Sequence, residues 1–110
     1  MIRRSRLLAS VMRAALGDWL LSWLARHGMN QSQLATLVGS TEGGLSMIIK
    51  GRRKPPKRRI ANWAVVMGLN GDEAREFMEL AYLTHCPEWI VREYLRLKAA
   101  AATNQQRSEG

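Results

Sequence analysis

Residues 31–51 read QSQLATLVGSTEGGLSMIIKG, and this stretch decides the fold. Asn30, just ahead of it, and Gln33 within it have capping-box spacing: a side-chain acceptor at the cap, and an amide three residues on that reaches back. Leu34, Ala35 and Val38 then recur on one face of a short helix. Gly39 comes where a helix end favours a left-handed residue. Thr41 caps a second short helix with Leu45, Ile48 and Ile49 on its apolar side, and Gly51 stops it. Two short helices joined by so tight a turn must pack closely. Ala35 supplies the small residue on the first, Gly39 the turn, and Leu45 and Ile48 the apolar face of the second.

The same helical spacing continues on both sides. Upstream, from about Ser5 to His27, Leu8, Val11, Met12, Ala15, Leu16, Trp19, Leu20, Trp23 and Leu24 form one apolar stripe. Gly17 and Asp18 offer a break that would divide it into two helices, with Asp18 capping the second. Downstream, residues 52–59 read RRKPPKRR, a basic turn. Pro56 suits the first turn of a helix carrying Ile60, Trp63, Ala64 and Met67, which Gly68 closes. Asn70 and Glu73 predict another capping box. The helix after them runs to about Thr84, with Phe77, Leu80 and Ala81 inside and Asp72, Glu73 and Glu76 near its positive end. Pro87 opens a last helix to about Ala101, and residues 103–110 read as a flexible polar tail. No strand alternation of useful length occurs. The expectation is an all-α chain with a single helical domain over 1–102, its core over about 18–84 and an additional C-terminal helix over about 87–101.

The chain has 110 residues, enough for one modest core, and a net charge of +8. The charge is unevenly placed. Residues 1–70 hold 12 Lys and Arg against 2 Asp and Glu, a net +10, whereas residues 71–110 hold 5 against 7, a net −2. Concentrated positive charge implies a polyanionic partner, nucleic acid or an anionic membrane surface. The basic N-terminus, with Arg3, Arg4 and Arg6, precedes an apolar stretch broken by Arg13 and Asp18. It reads as a helix and not as a leader peptide. With no apolar run long enough to span a bilayer and a single cysteine, Cys86, a cytoplasmic protein without membrane association is expected.

Other chemistries lack their residues. His85 and Cys86 are adjacent but have no further ligands at zinc spacing. No phosphate loop, paired acid or nucleophile with a base is present, so neither an enzyme nor a cofactor is expected. Trp19, Trp23, Trp63 and Trp89 could stack on unpaired bases, but their spacing among Leu and Val assigns them to the core.

Between about Leu24 and Ala81 the sequence resembles the Cro/repressor-like (Xre) family of bacterial and phage regulators. The resemblance rests on RHGMNQSQLA, the two-helix stretch, and Gly51 followed by Arg52, Arg53, Lys54 and Pro55. It implies a lambda-repressor-like helix-turn-helix bundle of about five helices, here with one helix more, whose third helix enters the major groove of duplex DNA. Carried over residue by residue, Gln31 would touch a phosphate and could also reach a base. Glu42, Gly43, Ser46, Met47 and Lys50 would face the groove, and Arg52, Arg53 and Lys54 the phosphates. Thr41 and Lys57 complete the expected contact set. Two departures stand out: Gly43-Gly44 early in the reading helix, and Ile49 where the family often has glutamate.

The resemblance leaves two roles open. One is a transcriptional regulator, most simply a repressor acting as a homodimer on a palindromic operator. The other is an antitoxin-like protein that neutralises a partner toxin and autoregulates its operon. The helix after Pro87 is the expected pairing surface, because Ile90, Tyr94 and Leu97 share one face. The competing expectation packs these residues on Leu8, Val11 and Met12 of the same chain.

Overall fold

The computed structural model describes the backbone from Ile2 to Glu109 and the side chains of residues 8–103. The expectations for Arg3, Arg4 and Arg6 lie outside the described side chains. The elements are α1 (Ile2–His27), α2 (Gln31–Val38), α3 (Glu42–Ile49), a 3-10 turn (Lys57–Arg59) running into α4 (Ile60–Val66), α5 (Gly71–Leu83) and α6 (Glu88–Glu109). Among the described residues there is no strand, and no helix is long and apolar enough to cross a membrane.

The first helix departs from expectation: α1 is continuous through Gly17 and Asp18. A helix-interior glycine costs only about 1 kcal/mol relative to alanine. Met12, Leu16, Leu20, Trp23 and Leu24 are buried on both sides of it and hold the helix together. Gly17 serves as a contact. A β-carbon there would stand 2.0 Å from the carbonyl oxygen of Ile49, so the backbone of α1 lies directly on the C-terminal end of α3. One turn earlier, Arg13 donates from Nε to the carbonyl of Gly51 at 2.8 Å. The last carbonyls of a helix have no partner within it; α1 lies on that of Ile49 with a bare Cα and bonds that of Gly51, just past the helix, with a guanidinium. Ile49 is buried in the same contact, which is why an apolar residue stands there.

The central motif forms as the sequence predicts. The Gln33 amide N–H donates to Asn30 Oδ1 at 2.8 Å, and the Asn30 N–H to Gln33 Oε1 at 2.9 Å, closing the capping box. Gly39 ends α2 with φ of 73°, and its neighbour Ser40 donates back to the Ala35 carbonyl at 2.8 Å. Thr41 Oγ1 accepts from the N–H of Gly44 at 3.0 Å and caps α3. Leu34, Ala35 and Val38 face Leu45 and Ile48 in a core completed by Leu16, Leu20, Trp23, Ile60, Trp63 and Phe77.

Two local expectations fail. Asn70 makes no side-chain cap bond, and the carboxylate of Glu73, which a capping box would turn back to the Asn70 N–H, pairs with Arg26 of α1 at 3.2 Å. Trp89 is 69% exposed and is not part of the core that holds Trp23 and Trp63. The reason is angular: α6 docks through the fully buried Val91, and a residue two positions away points about 200° round the helix.

That docking divides the last helix. Val91 is buried, and Tyr94 and Leu95 share a cavity wall with Met12 and Trp19 of α1; of the residues named in the intrachain expectation, this wall unites Tyr94 and Met12. Ile90 and Leu97 remain at 36% and 55% exposure. Val11 is half exposed and faces away. Lys98 ties α6 to Glu79 of α5 at 3.0 Å; its ammonium holds the Glu79 carboxyl below the ordinary carboxylate range. The backbone of α6 stays helical to Glu109, past the expected end at Ala101.

Candidate nucleic-acid interface

Packing fixes which side of α3 is available. Gly44, Leu45, Ile48 and Ile49 are buried against the body. Gly43, Ser46, Met47 and Lys50 fall at i, i+3, i+4 and i+7 and therefore form the opposite stripe. Gly43 and Lys50 are exposed, and Ser46 and Met47 half-buried. Glu42 is exposed at the first turn, beside the cap residue Thr41. The Thr41 hydroxyl oxygen accepts the cap bond with one lone pair, which leaves its O–H donor and the second lone pair for an external partner. Gln31 is half exposed at the start of α2.

The two adjacent glycines have different causes. A β-carbon on Gly44 would stand 2.9 Å from Thr41 Oγ1 and 3.3 Å from Ser40 Oγ, so this glycine makes room for the cap. Gly43 has nothing within 4 Å of a β-carbon, and nothing inside the protein requires it. A bare backbone on the outer face lets another molecule approach closely. Gly43→Ala is therefore expected to leave stability unchanged or raise it by up to about 1 kcal/mol, while weakening binding to duplex DNA. Thermal unfolding and binding measured on the same preparation check both halves; undiminished binding would make Gly43 incidental.

The basic turn follows α3 directly. Lys50, Arg52, Arg53, Lys54, Lys57 and Arg58 are all exposed. The Arg53 guanidinium reaches back over α3, its nitrogen 3.4 Å from the β-carbon position of Gly44, so a cation lies beside the start of the outer stripe. Arg59 has a different task. It donates to the carbonyls of Val38 at 2.8 Å and Gly39 at 3.3 Å, bracing the turn between α2 and α3. The sequence groups it with its basic neighbours, and only the turn's path shows that its charge is spent on backbone carbonyls. Pro55 is fully buried, and its carbonyl accepts from His85 Nε2 at 2.6 Å, which pins the turn to the end of α5.

Electrostatically the molecule has two sides. The ion pairs among the described residues join Arg26 to Glu73, Arg75 to Asp72, Arg92 to Glu88, Arg96 to Glu93 and Lys98 to Glu79. Every acid in them belongs to α5 or α6. None of the six cations of 50–58 takes part in such a pair. A cluster of unpaired positive side chains flanking an outward helix face is the electrostatic footprint of a nucleic-acid site.

The model of the helix-turn-helix family matches residues 20–73, from Leu20 in α1 to Glu73 in the first turn of α5. This segment is a helix-turn-helix domain of the Cro/repressor-like (Xre) type. The matched span contains α2, α3, the basic turn and α4. No curated protein and no solved structure matches the chain. The helix-turn-helix domain makes this a DNA-binding transcriptional regulator of a non-enzymatic family. Helices α5 and α6 extend beyond the matched residues.

Proposed function

We propose that the protein reads a specific duplex operator with α3, acting as a repressor in two-fold pairs. The observation that carries this reading is the set of unpaired cations at 50–58 beside the outer stripe of α3. In this reading the stripe Gly43, Ser46, Met47 and Lys50 enters the major groove. Arg52, Arg53, Lys54 and Lys57 bind phosphates and set the register, and Gln31 binds a phosphate from the start of α2. Phosphate contacts carry no sequence, so discrimination falls to the stripe. The Lys50 ammonium can donate to guanine O6 and N7, the Met47 thioether can touch a thymine methyl, and Glu42 can accept from cytosine N4.

The test is selection of bound sites from random duplexes with wild type, Lys50→Ala and Met47→Ala. Each variant is expected to relax preference at one position per half-site, by about 1–3 kcal/mol. An unaltered selected site in both variants would show that α3 lies differently in the groove. Selected sites should also come as inverted repeats, their centres about 34 Å apart or a multiple of it.

The antitoxin-like role is a second reading, favoured by the exposed Trp89 and Leu97 on α6, which suit a protein partner. An adjacent gene for a small toxin, and protection from that toxin by this protein, would support it. A palindromic operator bound without any partner favours the regulator.

A further inference from the structure

We infer that the cavity between α5 and α6 is a site for an uncharged, apolar small molecule with an aromatic ring, whose binding loosens the basic turn and so weakens the hold on DNA. The last step rests on the reading that this turn binds phosphates; the first two do not.

The cavity has a volume of about 480 Å³ and is lined by Ala74, Met78, Tyr82, Leu83, Cys86 and Tyr94, with Arg75 and Glu79 also bordering it. Small-molecule sites run from about 300 to 1,000 Å³, so the space is of the right size. Its walls are almost entirely apolar. A space so lined holds water poorly and gains by taking up apolar matter. Two tyrosine rings and the sulfurs of Met78 and Cys86 favour contact with an aromatic ring. The charges select an uncharged one. Arg75 pairs with Asp72 at 2.6 Å and Glu79 with Lys98 at 3.0 Å, so both bordering charges already have partners. A charged ligand would give up its water without a matching ion to replace it.

The cavity reaches the turn that joins α5 to α6, and that turn faces two ways. Leu83 and Cys86 line the cavity. His85, between them in sequence, donates from Nε2 to the Pro55 carbonyl at 2.6 Å. Pro55 is fully buried in the middle of the basic turn. The joining turn is tightly bonded within itself: the His85 N–H donates to the Tyr82 carbonyl at 2.9 Å, and that of Cys86 to the Leu83 carbonyl at 3.2 Å. A displacement of Leu83 and Cys86 is therefore carried to His85. A ligand wedged between α5 and α6 pushes these walls apart, draws the imidazole off Pro55 and frees the basic turn from α5. Ligand and DNA then oppose each other, each lowering the affinity for the other by the same factor.

The experiment uses the full chain and N-phenyl-1-naphthylamine, an uncharged aromatic probe that fluoresces when taken out of water. Its binding is titrated on wild type, on Ala74→Trp, which fills the cavity, and on Tyr82→Glu, which puts a charge on its wall. Circular dichroism checks that each variant is folded. Wild type is expected to take up the probe, and each variant to bind it about 10-fold or more weakly. Amide hydrogen exchange is then followed at Arg52 and Arg59, whose N–H groups bond to the carbonyls of Met47 and Pro56 at 2.9 and 3.0 Å. Saturating probe should speed exchange at both by about 5-fold or more in wild type and change nothing in His85→Ala, which lacks the tie. Probe-saturated wild type should bind duplex DNA more weakly by a similar factor.

No uptake by wild type, or undiminished uptake by the folded variants, would overturn the inference. So would uptake that leaves exchange at Arg52 and Arg59 unchanged, because the cavity would then be uncoupled from the turn. Uptake that vanishes as the chain self-associates would give the cavity to a second copy and overturn it too. Faster exchange with duplex affinity untouched would uphold the site and its link, and the phosphate reading of the turn would fail instead.

Discussion

Gly17→Ala is expected to destabilise the protein by about 2–3 kcal/mol, the cost typical of forcing a group into filled space. Two effects oppose each other. Alanine is the better helix former and by itself would add about 1 kcal/mol. Against it stands geometry: the new methyl would sit 2.0 Å from the Ile49 carbonyl oxygen, with the carbonyl carbon at 2.9 Å. Those are backbone atoms at the end of α3, and they cannot rotate aside as a side-chain tip would. Relief requires α1 and α3 to separate, which would also stretch the Arg13 bond to Gly51 and loosen Leu16, Leu20 and Ile48 in the core. For a chain of this size the change corresponds to a fall in melting temperature on the order of 10–20 °C. Thermal unfolding followed by circular dichroism checks it. An unchanged or raised melting temperature would mean that α1 does not rest on α3 at this point. Because the contact positions α3, the proposed reading helix, the folded fraction of the variant should also bind duplex DNA more weakly.

The contrast between Gly17 and Gly43 shows where sequence reading stopped. Both sit inside helices, and neither has positive φ. From sequence each is a residue of poor helix propensity, and the natural expectation at Gly17 is a break. What distinguishes them is the neighbour in space, and that neighbour, Ile49, lies 32 residues along the chain. Signals held within a few residues were legible. The Asn30–Gln33 box, the Gly39 turn, the Thr41 cap and the faces of α2 and α3 depend on spacing alone, and all form. Signals that needed a distant partner were not. Glu73 has the right spacing for a cap, but Arg26 takes its carboxylate. Arg59 looks like its basic neighbours, but the carbonyls of Val38 and Gly39 claim it. Trp89 shares the composition of the core tryptophans, but α6 docks on its other side through Val91. The candidate site was legible for the same local reason. A recognition face is the complement of a buried face, and Leu45, Ile48 and Ile49 announce the buried one.

Arg52→Ala with Arg53→Ala should weaken binding to all duplexes alike, by about 10- to 100-fold at physiological salt, and flatten its salt dependence. A protein that neutralises phosphates releases condensed counterions, so log affinity falls with log salt at about 0.9 per phosphate contacted. If both arginines bind phosphates, the slope of the double variant should be smaller by about 1.8. The folded state should change little, because both side chains are exposed and neither joins an ion pair among the described residues. Arg59 is the internal comparison. Its guanidinium holds the end of α2, so Arg59→Ala should lower stability and disturb the turn, with a smaller effect on the slope than either neighbour. Affinity titrated at several salt concentrations, on a selected operator and on an unrelated duplex, separates the cases. A parallel drop on both duplexes with a flatter slope assigns Arg52 and Arg53 to phosphates. A drop confined to the operator would place one of them on a base edge in the groove. An unchanged slope would take the basic turn off the DNA, and the reading of α3 as the recognition helix would lose its electrostatic support.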